Sequence, residues 1–227
     1  MNIIERYNRI REEVDRAAMN CGRDPRSIKI LAVSKTVPCE IIQEAIDSGI
    51  TLLGENRVQE AKSKITTLQG TFTLHMVGHL QSNKAHDAVK LFELIHSVDK
   101  LKTAEALDSA AGKEGKKQRI LIQIKTFNEE TKSGISPEES MQLAENILRM
   151  ENLILEGIMT IGPITDDPGI TRSAFRDTAS ALRRINSELG LNLQELSMGM
   201  SGDFPLAVEE GSTILRIGTS IFGRRNY

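Results

Sequence analysis

Cysteine is scarce in this sequence, which has only Cys21 and Cys39 among its 227 residues. The two do not form a CxxC motif, and no group of residues has the spacing of a metal site. Small secreted domains built on disulfides carry many more cysteines for their length. The sequence therefore predicts reduced thiols, which are typical of the cytoplasm, and no bound metal.

Long apolar runs and long basic runs are also absent. No segment has the roughly 18 consecutive apolar residues that a membrane-spanning helix needs, and residues 1–18 carry acids throughout, unlike a signal peptide. The formal net charge is -2, and the densest basic stretch, GKEGKK at 112–117, is typical of a solvated loop. We therefore expect a cytoplasmic protein that binds neither membranes nor nucleic acid.

The sequence does contain a regular alternation of two patterns. Residues 1–20 have apolar side chains at helical spacing, and short β-branched runs then alternate with stretches of helical periodicity. The candidate strands are 28–34, 51–54, 74–78, 94–98, 119–125, 155–161, 195–200 and 214–218. Eight strand–helix units in roughly 200–250 residues are typical of a (β/α)8 barrel.

A doubly wound open sheet is the alternative fold for such an alternation. That fold usually has fewer strands and a glycine-rich first turn, whereas the first turn here is SKTVP, at 34–38, which has no glycine. We therefore predict an α/β protein, a single (β/α)8 TIM barrel with an extra N-terminal helix. No linker and no shift in composition interrupts the chain, so we expect one domain over residues 1–227.

Polar side chains collect where the predicted strands end. Lys35 ends the first strand, Asn56 follows the second and His79 follows the third. The loops after the seventh and eighth strands, MGMSGD at 198–203 and RIGTS at 216–220, contain glycines and hydroxyls. The carboxyl ends of barrel strands meet on one face, which carries the chemistry of such folds. These residues are therefore predicted to lie together.

The last two of these loops indicate a phosphate site. Ser201 in GMSG, and Gly218 and Thr219 in GTS, place hydroxyls beside glycines that let backbone N–H groups approach an anion. Barrels often bind phosphate in the loops after strands seven and eight. Glycine also permits tight turns without any ligand, but two such loops at the two expected places favour phosphate.

Lys35 and Arg216 are the two unusual cations of the pattern. Arg216 lies inside the eighth strand, where it needs either a structural carboxylate or a ligand acceptor. Lys35 can lose its proton when desolvated and can then form a Schiff base. Together with a phosphate cradle they resemble a pyridoxal 5′-phosphate site. A Schiff-base aldolase acting on a phosphorylated sugar remains the alternative, although no acid or base beside the lysine is evident.

The histidines give weaker signals. His75 and His79 flank a strand end, so a metal pair is not expected, although one or both could line the pocket. His86 and His96 are expected to be hydrogen-bonded structural groups. Met198 and Met200 fall where a cofactor could lie.

The motifs taken together resemble the pyridoxal-phosphate homeostasis protein family, which is similar to the amino-terminal barrel domain of alanine racemase. The segments that carry the resemblance are LAVSKTVP, GENRVQE, HMVGHLQSNK, IHSVD, ILIQIK with KSG after it, GIMTI, LSMGMSGDF and GSTILRIGTSIFGRRNY. They occur in order from about residue 28 to the carboxyl terminus. The resemblance implies a single barrel that binds pyridoxal 5′-phosphate as an internal aldimine.

The resemblance also implies a role for each site residue. It assigns the cofactor site to Lys35, Asn56, His79, Ser201, Arg216, Gly218 and Thr219. Lys35 is the Schiff-base residue, and Arg216 faces the pyridine nitrogen. Ser201, Gly218 and Thr219 surround the phosphate, and the other two are further pocket residues. No catalytic residue and no metal ligand is implied.

The resemblance finally implies that the protein binds the cofactor, hands it on to apoenzymes that depend on it, and so takes part in vitamin B6 homeostasis. An arginine at the pyridine nitrogen weakens the ring as an electron sink. The chain ends at Tyr227 without the β-rich domain of alanine racemases, which contributes a catalytic tyrosine and supports their dimer. We therefore expect a monomer with little or no turnover. A pyridoxal-phosphate-dependent racemase-type enzyme is the alternative.

Overall fold

The computed structural model describes residues 1–127 and 133–223. The carboxyl-terminal motif GSTILRIGTSIFGRRNY therefore falls partly outside the described residues, since 224–227 lie outside. Residues 128–132, after the fifth predicted strand, also lie outside.

Within the described residues, eight parallel strands close into a barrel in the order of the sequence. The strands are β1 (Lys29–Val33), β2 (Leu52–Glu55), β3 (Thr73–Met76), β4 (Leu94–Val98), β5 (Gln118–Ile124), β6 (Leu153–Thr160), β7 (Glu195–Ser197) and β8 (Ile214–Ile217). The predicted (β/α)8 barrel is confirmed. The largest difference in bounds is at β7, which ends before Gly199, because that residue has a φ of 93° and turns the chain.

Helices follow the strands and cover the outside of the barrel. They are α1 (Ile3–Asn20), α2 (Cys39–Asp47), α3 (Val58–Ile65), α4 (Ala85–Leu91), α5 (Leu101–Lys113), α6 (Pro137–Leu148), α7 (Pro168–Leu189), α8 (Phe204–Glu209) and α9 (Thr219–Phe222). Single-turn 3₁₀ helices span Pro25–Ser27 and Ser82–Lys84. None of the helices in the described ranges is long and apolar enough to cross a bilayer.

The core has two parts, which the barrel wall separates. The larger part lies between strands and helices, where apolar side chains of both layers are buried. The smaller part fills the barrel interior and consists of Leu31, Val33, Val77, Leu94, Leu121, Met159 and Ile214. Because both faces of each strand are covered, the strands appear in the sequence as nearly continuous apolar runs. The interior is packed, so a ligand can enter only at the rim.

The predicted N-terminal helix is confirmed and packs beside the end of the chain. Helix α1 lies against α8 and α9, and its side chains Ile10 and Val14 are buried. Arg23, just beyond α1, donates hydrogen bonds to the carbonyl oxygens of Val208 and Ser212 at 2.6 and 2.8 Å. These contacts connect the first helix to the last strand–helix units of the barrel.

Candidate cofactor site

A cavity of about 290 Å³ opens at the carboxyl ends of β1, β2, β3, β6, β7 and β8. Its lining residues are Val33, Lys35, Asn56, Val77, Ile161, Met200, Ser201, Gly202, Arg216, Gly218 and Thr219. All but one of the cofactor-binding residues that the sequence indicated are in this set. The fold therefore brings together, at one end of the barrel, side chains that lie up to 186 positions apart, since the set runs from Val33 to Thr219.

His79 is the residue that the structure leaves outside this cavity. Its side chain is exposed, and its Nδ1 lies 3.5 Å from Oγ of Ser133, on the loop after β5. The two methionines that the sequence placed near a cofactor lie in different parts of the structure. Met200 lines the cavity, whereas Met198 is fully buried in the outer part of the core. A cofactor contact of His79 therefore stays a prediction without support from the cavity.

Lys35 is the second residue of a turn that joins β1 to α2. The backbone N–H of Val37 donates to the carbonyl oxygen of Ser34 at 3.1 Å and closes the turn. Thr36, the third residue, has a φ of 59°. For a β-branched residue this left-handed conformation costs about 1–2 kcal/mol. Strain of this kind is concentrated at functional sites, and here it lies next to the half-buried Lys35.

The wall beside Lys35 depends on one glycine. A Cβ on Gly78 would lie 2.3 Å from the backbone oxygen of Asn56, closer than any real contact. Only glycine therefore lets the end of β3 approach the residue after β2. This close approach fixes Asn56 at the cavity wall.

The loops after β7 and β8 form the opposite wall of the cavity. The backbone N–H of Arg216 donates to the carbonyl oxygen of Gly199 at 2.9 Å, and that of Ser220 donates to Oγ of Ser201 at 3.3 Å. These bonds hold the two loops together, with hydroxyls of Ser201 and Thr219 at the cavity. Hydroxyl and backbone donors beside glycine suit a phosphate.

Arg216 lies under these loops and is only 6% exposed. Its guanidinium donates to the carbonyl oxygen and Oγ of Ser197, at 2.6 and 2.9 Å, and to the carbonyl oxygen of Thr160 at 2.7 Å. Burial lowers the pKa of Arg216 to about 10, and Asp203 acts in the opposite direction. The side chain therefore keeps its proton at neutral pH, as a fixed donor that also lines the cavity.

A buried chain of hydrogen bonds continues from Arg216 across the barrel interior. Oγ of Ser197 lies 2.8 Å from Nδ1 of His96, and Nε2 of His96 lies 3.0 Å from Nδ1 of His75. Burial, followed by the positive charges of Arg119 and Lys29, lowers the pKa of His75 to about 3. Burial also lowers the pKa of His96 well below its usual value. Both imidazoles are therefore neutral, and Arg216 is the charged member of this series of hydrogen-bonded side chains.

A β-bulge in β4 helps to direct the side chain of His96 into this series of hydrogen bonds. Ile95 pairs with Ile120 and Val98 with Ile122, so β4 has one residue more than β5 in this stretch. An extra residue of this kind bends a strand and redirects its side chains. His96 lies inside the bulge, with its ring in the barrel interior.

Sequence reasoning missed the apolar wall and the partners of Arg216. Val33, Val77 and Ile161 line the cavity, and Ser197 and Thr160 accept from Arg216. The two-residue period of each strand would have placed the valines on the inner face. Nothing in the sequence identifies which inward residues reach one another across the barrel.

Known proteins match this chain along almost its whole length. Residues 7–226 match the family model for the alanine racemase N-terminal domain. Pyridoxal phosphate homeostasis proteins of Aquifex aeolicus and Escherichia coli are 40% and 38% identical to it, over 100% of this chain and 100% and 98% of theirs. The chain belongs to the pyridoxal phosphate homeostasis protein family.

Solved structures agree with this family assignment. PipY of Synechococcus elongatus, with pyridoxal phosphate bound, is 37% identical, with a TM-score of 0.83 over 93% of this chain and 100% of that one. An alanine racemase of Clostridium difficile matches with a TM-score of 0.77 at 19% identity, and this chain covers 57% of it. That second likeness shows the fold alone. The predicted alanine-racemase-like barrel is thus confirmed for this family member.

Because the two buried, hydrogen-bonded histidines are neutral, the free energy of unfolding is predicted to depend on pH. An unfolded histidine has a pKa near 6.5, whereas that of His75 in the folded protein is about 3. Because the folded pKa is depressed, the unfolded chain binds protons first as the pH falls. Stability is therefore lost from about pH 6.5 downwards, at about 1 kcal/mol per pH unit for each such histidine.

Urea unfolding between pH 5 and 6.5 measures this dependence. His75→Gln should flatten the slope relative to the wild-type protein, since the depressed pKa of His75 is then absent. A His75→Gln variant with the wild-type slope would show that His75 does not stay neutral in the folded protein.

Proposed function

We propose that this family member binds pyridoxal 5′-phosphate in the cavity as a Schiff base with Lys35, and that it takes part in vitamin B6 homeostasis with little or no turnover. The observation that carries the proposal is the grouping of an amine, two hydroxyls and a buried guanidinium around one apolar wall. The names of the relatives, and the pyridoxal phosphate bound to PipY, support it.

The residues of the cavity fit the three polar ends of this cofactor. The amine of Lys35 can add to the aldehyde carbon, and water leaves as the Schiff base forms. Ser201 and Thr219 can donate hydroxyl hydrogens to the phosphate. Arg216 can donate to the ring nitrogen, and Val33 and Val77 offer apolar surface to the ring. Each of these side chains lines the same cavity.

The state of Arg216 favours holding the cofactor over amino-acid chemistry. Bound pyridoxal phosphate supplies an electron sink whose strength depends on the protonation of its ring nitrogen. A guanidinium does not readily give up a proton, and the acceptors that hold Arg216 are neutral oxygens of Ser197 and Thr160. A ring nitrogen facing Arg216 therefore stays an unprotonated acceptor, which stabilises a carbanion poorly.

We extend the proposal to the setting in which the protein works. Residues 1–227 act as one domain and as a monomer, and apoenzymes that need pyridoxal phosphate receive it from the cavity. We place the protein in the cytoplasm, and its free cysteines, Cys21 and Cys39, support a reducing compartment.

Reduction with borohydride tests the covalent bond. Protein loaded with pyridoxal phosphate should show aldimine absorbance, and after reduction the peptide that contains Lys35 should carry the pyridoxyl group. Lys35→Ala should lose both signals, and Lys62→Ala, which removes an exposed lysine of α3, should keep them. A pyridoxyl group on another lysine, or no uptake at all, would refute the proposal.

Loss of the two hydroxyls tests the phosphate end. Removing hydrogen bonds to a charged group costs about 1.5–3 kcal/mol each, so Ser201→Ala with Thr219→Ala should weaken pyridoxal phosphate at least about tenfold. Pyridoxal, which has no phosphate, should lose far less. Ser220→Ala is the matched control, because Ser220 is not among the residues that line the cavity. Equal losses for both ligands would exclude the phosphate assignment.

A panel of amino acids tests the absence of turnover. The loaded protein should give no steady racemisation, transamination or elimination above the level of Lys35→Ala. Sustained turnover that disappears in Lys35→Ala would contradict the homeostatic role and establish a racemase-type enzyme instead.

A further inference from the structure

A buried ammonium lies behind the turn that carries Lys35. Lys64, in α3, is 8% exposed. Its Nζ donates to Oε1 of Glu55 at 2.8 Å, to Oε1 of Glu60 at 2.7 Å and to the carbonyl oxygen of Ser34 at 2.7 Å. An ammonium has three N–H donors, so these bonds use all of them.

Each of the three acceptors leads to a residue of the cavity. Ser34 precedes Lys35, and its Oγ also donates to Oε1 of Glu55 at 2.7 Å. Glu55 in turn precedes Asn56 at the end of β2. Oε1 of Glu60 accepts from the backbone N–H of Thr36 at 2.5 Å, on the other side of Lys35. Lys64 thus connects both flanks of the Lys35 turn to the neighbouring strand end.

This arrangement is not what stability alone would select. Apolar side chains also lie next to Lys64, since Leu53, Leu68 and Phe72 help to line a void of about 10 Å³ beside it. Buried ion pairs of this kind are often replaced by apolar residues without loss of stability. One oxygen of Glu55, Oε2, is also buried without a hydrogen-bond partner among the described residues.

The strained conformation of Thr36 supports a positional role. A turn that needs a positive φ at its third position usually has glycine there, but this turn has Thr36, with a φ of 59°. Such a conformation persists only where the surroundings hold it. The bond from Thr36 to Glu60, which Lys64 also binds, is one such constraint.

We propose that Lys64 is a positioning residue that holds the Lys35 turn and the end of β2 together, so that the amine of Lys35 meets the aldehyde of pyridoxal phosphate. This inference rests on the proposed function. It also gives a role to Glu55 and Glu60 of the motif GENRVQE, in which only Asn56 lines the cavity.

Two ligands separate positioning of the amine from general support of the cavity. Pyridoxal phosphate has the aldehyde, whereas 4′-deoxypyridoxine 5′-phosphate has a methyl group in its place and keeps the ring and the phosphate. A small misplacement of a reacting group can slow a reaction about a hundredfold. Lys64→Met in the full chain should therefore slow aldimine formation at least about tenfold, and change the affinity for the deoxy ligand less than about twofold.

Lys62→Met is the matched control. Lys62 lies on the same helix, is exposed and pairs with Asp87 at 3.1 Å. This variant should form the aldimine at the wild-type rate. Absorbance stopped-flow measures the rate, fluorescence titration measures the affinity for the deoxy ligand, and circular dichroism establishes that each variant is folded.

Glu60→Ala decides the question if Lys64→Met does not fold. Glu60 is partly exposed, and its loss removes the acceptor of Thr36 while Lys64 keeps Glu55. This variant should also slow aldimine formation more than it weakens the deoxy ligand. Folded variants that react at the wild-type rate, or that lose both ligands equally, would overturn the inference. Wild-type protein that takes up no pyridoxal phosphate would refute the proposed function instead.

Discussion

Pairing of β8 with β1 closes the barrel, and the site depends on this closure. Leu31 lies opposite Arg216 and Ala32 opposite Ile217 in the register of the two strands. The turn after β1 and the loop after β8 therefore leave the barrel side by side, although most of the chain lies between them. Without this register, Lys35 and Thr219 would not line one cavity. Helix α1, which packs against α8 and α9, covers this part of the barrel from outside.

Closure also creates an interior in which charge must be compensated. Arg216 points into this interior, and its hydrogen bonds go to neutral oxygens of Ser197 and Thr160 instead of a carboxylate. Its charge consequently stays available to whatever enters the cavity. On the other side of the cavity, Lys64 is bound by two carboxylates behind the Lys35 turn. One buried cation thus lines the cavity, whereas the other lies behind the turn that carries Lys35.

The sequence predicted the architecture well because a barrel repeats one local pattern. Each strand is a short apolar run, and each following polar segment marks a strand end, so eight repeats were enough to identify the fold. The loops with Ser201 and with Gly218 and Thr219 were predicted for the same reason, since glycine and hydroxyls after a strand are a local signal. His79 was predicted as a pocket residue from the same kind of local pattern. Its side chain is nevertheless exposed beside Ser133 and does not line the cavity.

By itself the sequence determined the order of the strands, the place of Lys35 at a strand end and the two loops that combine glycine with hydroxyls, because all of these follow from neighbours along the chain. Only the tertiary structure decided which buried polar groups meet. His75, His96 and Ser197 join through a bulge and across the barrel, and Lys64 reaches Ser34 from another helix. Such pairings depend on strand register and on the direction of each side chain, which closure of the barrel fixes.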